Sequence, residues 1–390
     1  MNILFVTHSF PPPDRPLDNV GGMQRVAFEL DAALRRQVAR GDASFSYETR
    51  ALVSSWRWVH VKVVPFLFGT WRLLARQIRR RDVDVVVFSS MVTAALAVPL
   101  SGLLRKHGVA TAAIVHGQDV TKPVRAWQGL VSRVFEAVDV VMPVSGATGE
   151  ACVERGLPPE KVAVVHNGVD LDRFNAVLDR LAARGTRISA DRARLNESSA
   201  ESTDASPLLL CSVGRQVKRK GFAWFIRNVM PALPPHVHYW LGGDGPEHDD
   251  IQAAIRETGL EARVRLLGRL DEDELIDLYR CSDLFIMPNI PVPGDMEGFG
   301  IVMLEAGLSG LPTVAARLEG IREVITPGEN GYFVESGDAA GFADRISALD
   351  ADRSALADLS ERTVGHVRST FGWDAVAGNY LAVLSRVSNH

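Results

Sequence analysis

Two carboxylates, Glu297 and Glu305, stand eight residues apart in Glu297-Gly298-Phe299-Gly300-Ile301-Val302-Met303-Leu304-Glu305. The spacing puts the first at the start of a helix and the second about two turns in. Glu305 could then reach ribose hydroxyls, while Glu297 and the N–H groups beyond Phe299 suit a sugar and its phosphate. The plainer alternative is an acidic first turn favoured by the helix dipole. Upstream, Gly214-Arg215-Gln216-Val217-Lys218-Arg219-Lys220-Gly221 sets four cations within six residues between glycines. Arg215 offers a fork and Lys220 a point charge, a pairing that suits a diphosphate, against the alternative of a solvated basic loop. His116-Gly117-Gln118-Asp119 offers an imidazole for a sugar hydroxyl or a reacting centre, or else a structural loop histidine. Gly21-Gly22-Met23-Gln24-Arg25 opens a helix where backbone could approach a phosphate, although a simple turn reads the same way.

The elements that must position these groups alternate. Short apolar, β-branched runs occur at 3–6, 83–88, 112–115, 138–142, 162–165, 208–213, 237–241, 264–267, 284–287 and 313–315. Helical patterns such as 24–36, 71–80, 272–280 and 301–308 separate them. That alternation predicts α/β architecture with parallel sheets wound on both faces, and ten strands point to two sheets. Ligands of such sheets sit beyond the strands' carboxyl ends, where each motif above lies. Residues 186–207 are Ser-rich and lack an apolar period, so a mobile loop or linker is expected there. Val85 to Leu104 is 20 residues without a charge, long enough to span a bilayer. The β-branched Val85-Val86-Val87-Phe88, broken by Ser89-Ser90, makes it a buried strand followed by a helix instead.

Composition closes off other classes. Across 390 residues, 46% hydrophobic and 23% charged is globular, and a net charge of -4 is not a nucleic-acid-binding balance. Residues 1–170 hold 20 basic and 15 acidic side chains (+5), the remainder 23 and 32 (-9), so the first half better suits an anionic partner. Cys152, Cys211 and Cys281 are far apart, suggesting neither disulfides nor zinc and fitting a reducing, cytoplasmic setting. The first eight residues carry no basic leader region, so no signal peptide is expected. The Asp-x-Asp pairs Asp82/Asp84, Asp170/Asp172 and Asp271/Asp273 precede a strand, sit in a turn and cap a helix, so no metal is expected.

Taken together, the sequence resembles the retaining glycosyltransferases of family 4. The resemblance runs nearly end to end, through Gly21-Gly22, His116-Gly117-x-Asp119, Val144-Ser145, Asn167-Gly168-Val169-Asp170, Gly214-Arg215 with Lys220-Gly221, Gly268-Arg269-Leu270, Glu297 to Glu305 with Ala306, and Phe371-Gly372-Trp373. It implies the GT-B fold: two Rossmann-like domains facing a cleft, with a last helix crossing back to the first domain. The implied division is an acceptor domain at 1–170 with 373–390, a linker or insertion at 171–207, and a nucleotide-sugar donor domain at 208–372. The resemblance implies roles by position. His116 and Glu297 meet the donor sugar, and Arg215 and Lys220 bind the diphosphate and stabilise it as leaving group. Gly22, Gly214 and the backbone of Phe299, Gly300, Ile301 and Val302 approach sugar and phosphate. Glu305 takes the ribose, and Arg269 and Leu270 flank the base. Gly21, Gln24 and Asp119 lie on the acceptor side. One departure is Arg317-Leu318-Glu319-Gly320-Ile321-Arg322-Glu323, where the family commonly has Gly-Gly-x-Pro-Glu.

The implied reaction moves a hexose from a nucleoside-diphosphate sugar to a hydroxyl of a lipid-linked, polysaccharide or small-molecule acceptor, with retention and without cofactor or metal. Front-face attack needs no enzyme base, whereas a double displacement needs a carboxylate nucleophile, for which Asp119 is a candidate by position. Two other readings share the nucleotide site: a sugar-nucleotide epimerase, and a non-catalytic nucleotide-sugar-binding protein. Finally, Arg50 to Arg81 carries eight basic residues and no acidic one, with Trp56, Trp58, Phe66, Phe68 and Trp71. This stretch reads either as a helix packed on its sheet or as an interfacial helix meeting an anionic membrane, which would place the enzyme peripherally at the membrane's inner face.

Overall fold

Runs of β-branched and aromatic residues can be buried on both sides only if helices cover both faces of their sheet. Val85–Phe88, Ala110–Val115 and Val140–Pro143 are buried at every position. The structure, a computed structural model, describes residues 1–10, 22–41, 45–54, 56–184, 186–200 and 206–388. Its strands are β1 (Asn2–Phe10), β2 (Ser46–Val53), β3 (Val85–Phe88), β4 (Ala110–Val115), β5 (Val140–Pro143), β6 (Leu208–Val213), β7 (Val237–Gly242), β8 (Val264–Gly268), β9 (Leu284–Met287), β10 (Thr313–Ala316) and β11 (Gly331–Val334). They form two sheets, ordered β2-β1-β3-β4-β5 and β11-β10-β9-β6-β7-β8. All pairings are parallel, as in Phe5 opposite Val87 and Cys211 opposite both Trp240 and Phe285.

The chain divides into two units. The first comprises Met1–Gly168, Gly294–Phe299 and Phe371–His390; the second comprises Val169–Pro293 and Gly300–Thr370. In the first sheet the strand order reverses between β1 and β3, and in the second between β6 and β9. Those reversals open crevices at the strands' carboxyl ends. In the first unit, the last helix, Trp373–Ser388, packs on the Gly22–Ala39 helix, with Asp374 bound by Arg40 at 2.7 Å and Arg36 at 3.3 Å. In the second, Phe225 packs against Tyr239 (5.1 Å between rings) and edge-on to Phe342 (5.9 Å) at the centre of the core.

Three expectations change. Residues 187–200 are a helix, not a loop, pinned to the Glu272–Cys281 helix. Asp277 accepts hydrogen bonds from the Thr186 hydroxyl (2.6 Å) and the Ser189 N–H (3.1 Å). Arg187 pairs with Glu274, and Ile188 is fully buried. A polar helix with one apolar anchor escapes periodicity reading because its partners lie roughly 90 residues on. Residues 201–205 of that stretch lie outside the described set. The expected strand at 162–165 runs beside β5 through Ala163 N–H to Val141 C=O and Val165 N–H to Pro143 C=O, but makes only one bridge. The edge strands β2 and β11 were not among the expected strands: in β2 the apolar Ala51-Leu52-Val53 follows a mostly polar stretch, and in β11 the run Tyr332-Phe333-Val334 is only three residues long. The uncharged 85–104 stretch is β3 followed by short helices at Met91–Ala94 and Ala97–His107. Among the described residues no helix is long and apolar enough to cross a membrane.

Candidate active site

In the second unit the cationic loop leaves β6 at the point where the strand order reverses. Its path depends on glycine. Gly221 has φ +68°, and a Cβ there would lie 2.0 Å from the Pro288 carbonyl oxygen just after β9. A side chain at Gly243 would lie 2.0 Å from the Gly214 carbonyl oxygen, and one at Gly245 2.4 Å from that of Gln216. The loops after β6, β7 and β9 are thus stacked backbone on backbone. Gln216, fully buried, ties them: its N–H donates to Asp244 C=O (3.0 Å) and its side-chain amide to Gly243 C=O (2.9 Å). On this frame Arg215 is exposed, while Lys220 is 5% exposed with Cε and Nζ lying against Gly214. A lysine ammonium is a compact point charge beside the guanidinium fork of Arg215, a pairing whose chemistry suits a diphosphate.

The Ile301–Leu308 helix starts from Gly300 in the left-handed region, φ +85°. Ile301 and Val302 open it with N–H groups that have no helical carbonyl one turn back, while the Met303 N–H donates to the Gly300 carbonyl at 3.0 Å. Glu305, the fifth residue, is buried and accepts a hydrogen bond from the Tyr279 hydroxyl at 3.4 Å. Arg269 is exposed and pairs with Asp244 at 3.4 Å, while Leu270 packs on Gly242. Asp271 caps the Glu272–Cys281 helix in a reciprocal box with Glu274.

In the first unit, His116 follows β4 and Ser89–Ser90 follow β3. The His116 Nε2–H donates to the Ser89 carbonyl at 3.0 Å. Because a carbonyl only accepts, Nε2 carries the proton and Nδ1 is left as an acceptor. Burial lowers the His116 pKa, against the opposing pull of Asp119. Asp119, buried, accepts main-chain N–H bonds from His116 (2.9 Å) and Met91 (3.5 Å), and burial pushes its carboxyl up. His8, at the end of β1, contacts Ser90 Oγ at 3.3 Å and is pushed down to about 4 by burial and by His116.

The Glu297 segment belongs to this unit and is laid directly on the His116 loop. A Cβ on Gly298 would lie 2.4 Å from the His116 carbonyl oxygen. One on Gly117, which has φ +91°, would lie 3.3 Å from Gly298 Cα and Met296 Cγ. Gln118 donates to Asp295 at 2.5 Å, and Phe299 stacks on His166 at 5.5 Å and edge-on to Phe371 at 6.1 Å. Glu297 and His116 are thereby neighbours, and Glu297 is buried. Gln24 is buried on the Gly22–Ala39 helix; Gly22 begins that helix, and Gly21 lies outside the described residues. His8 and the Ser89–Ser90 pair were given no site role from the sequence, although a polar residue ending an apolar run after a strand was the available signal.

Residues 20–173 match the profile of Glycosyltransferase Family 4, and residues 207–352 that of Glycosyl transferases group 1. The chain belongs to glycosyltransferase family 4. It is 26% identical to a GDP-mannose-dependent phosphatidylinositol monomannoside mannosyltransferase of Corynebacterium glutamicum, over 98% of this chain and 97% of that protein. It is 34% identical to the lipopolysaccharide core biosynthesis glycosyltransferase LpsE of Rhizobium meliloti over 54% of this chain, a match spanning 57% of LpsE. Among solved structures, Anabaena HepE in complex with UDP aligns at TM-score 0.69 and 19% identity, covering 99% of this chain and 100% of that one. The starch synthase IV catalytic domain of Arabidopsis thaliana aligns at TM-score 0.73 and 16% identity, covering 100% and 99%. The fold is GT-B. The chain is a glycosyltransferase, and nothing in these matches favours an epimerase.

Proposed function

We propose that this family 4 enzyme transfers a hexose from a nucleoside-diphosphate sugar to an acceptor hydroxyl with retention at the anomeric carbon. The observation that carries this reading is the buried Lys220 held against Gly214, on a loop where Gly221 leaves no room for a side chain. Arg215 and Lys220 take the diphosphate and neutralise the charge that develops as it departs. Glu305 takes the ribose hydroxyls, and Arg269 and Leu270 border the base. Glu297 and the bare Nδ1 of His116 take hydroxyls of the donor sugar.

The bond from the anomeric carbon to the diphosphate oxygen breaks, and the bond to the acceptor oxygen forms on the same face. The acceptor proton passes to the departing phosphate. Asp119 accepts two main-chain N–H bonds, which supports a structural role for it rather than that of a nucleophile. Asp271 is occupied as a helix cap and Asp84 accepts the Asn2 N–H at 2.7 Å, which supports a reaction without a metal at those pairs. The acceptor is a lipid-linked, polysaccharide or small-molecule hydroxyl, met by an enzyme working peripherally at an anionic membrane face.

Thermal-shift screening with UDP, GDP and ADP sugars identifies the base, since a ligand bound only by the folded state raises Tm. Proton NMR of the product then reads the anomeric linkage. The expected product has the donor's configuration, and an inverted product would overturn the retaining reading.

A further inference from the structure

The Trp56–Arg80 helix covers its sheet with Val59, Phe66, Leu74, Ala75 and Ile78, all buried. Its other side departs from the usual polar outer face. Trp58 is 59% exposed, Val61 67%, Val64 68% and Phe68 57%. Spaced by three, three and four residues, these four side chains share one strip of the helix. The same strip continues through Arg72, Arg76 and Arg79, all exposed. The strip is therefore apolar over its first half, flanked by the exposed Lys62, and cationic over its second. The Arg72 guanidinium, 5.9 Å over the Phe68 ring, joins the two.

A contiguous ridge of large apolar side chains in water marks an interaction surface. We infer that this strip docks on an anionic lipid bilayer. Trp58, Val61, Val64 and Phe68 enter the boundary between headgroups and acyl chains, and Arg72, Arg76 and Arg79 meet the lipid phosphates. Charge selects this occupant. A second copy of the chain would bring the same cationic strip, with no acidic residue between Arg50 and Arg81 to answer it. The inference names the surface for the peripheral location proposed above and rests on that reading for its purpose, but not on the donor chemistry.

The test is flotation of the full chain with vesicles of phosphatidylcholine alone or mixed with phosphatidylglycerol, at low and high salt. The expected result is recovery with the anionic vesicles at low salt and loss of binding at high salt or without phosphatidylglycerol. Val61→Ser, Val64→Ser and Phe68→Ser together should weaken binding at least about 10-fold. Arg72→Gln, Arg76→Gln and Arg79→Gln together should abolish the preference for anionic lipid. The substituted side chains are exposed, so Tm should be unchanged in both variants. Failure of the wild-type chain to float, or a serine variant that floats like it, overturns the inference. So does a dimer in light scattering that the serine variant dissolves, if vesicles are not bound. Release of nucleoside diphosphate is measured on the same samples. Release without flotation overturns the surface alone; flotation without release from any donor leaves the surface standing and overturns the proposed donor chemistry.

Discussion

Gly298 shows most directly how a single residue sets the site. Its Cα faces the His116 carbonyl so closely that even one methyl group would collide with it. Gly298→Ala should push the Glu297 segment off the His116 loop, at a cost of about 1–3 kcal/mol of stability and a marked loss of turnover. Melting curves and turnover measured together check this; an alanine variant indistinguishable from wild type would contradict the packing. His8 supplies a pH dependence. Its pKa is lowered from 6.5 to about 4 in the fold, so the unfolded chain binds the proton more readily. The contribution is fully present above pH 6.5 and is lost as pH falls through 4, a change of up to about 3 kcal/mol. Tm measured from pH 7 to 4 should fall less steeply in His8→Gln than in the wild-type chain.

The strands that bear the site were readable because apolar, β-branched runs buried on both faces have few alternatives. Of the four edge strands, β5 and β8 were readable, whereas β2 and β11 were missed because they are less apolar or shorter. In β2 the sequence Ser46-Tyr47-Glu48-Thr49-Arg50 alternates polar groups and leaves most of its positions partly or fully exposed. The Arg187–Ala200 helix was missed because its stability comes from distant partners, Asp277, Glu274 and Asp283, rather than from an apolar stripe. The helix cap at Asp271 was read correctly from a local pattern. Asp271→Ala should cost about 1 kcal/mol, while Asp271→Asn should cost little, since asparagine caps as well. Urea unfolding of the two variants checks the difference.

Among the site residues, the glutamates and the R-x4-K loop were visible as spacing. The contact between Gly298 and the His116 carbonyl was not, because about 180 residues of chain separate them.

For the molecule as a whole, the net charge of -4 describes neither surface that matters. Cations are concentrated at Arg215 to Lys220 in the acidic second half and along Arg50 to Arg81 in the first. The first group is partly buried on a glycine-built loop and the second is spread along an exposed helix, so salt should affect them differently. Raising salt should loosen membrane association well before it weakens donor binding, as flotation and nucleotide thermal shifts on one salt series would show.

The central claim is that Lys220 and Glu297 serve transfer from a nucleoside-diphosphate sugar. Release of nucleoside diphosphate from a panel of UDP, GDP and ADP hexoses tests it most directly. The wild-type chain should release the diphosphate from one donor class, and Lys220→Ala and Glu297→Ala should each cut that release by about 10²-fold or more while keeping the fold. Near-normal release by both variants, or interconversion of sugars without release, would contradict the account.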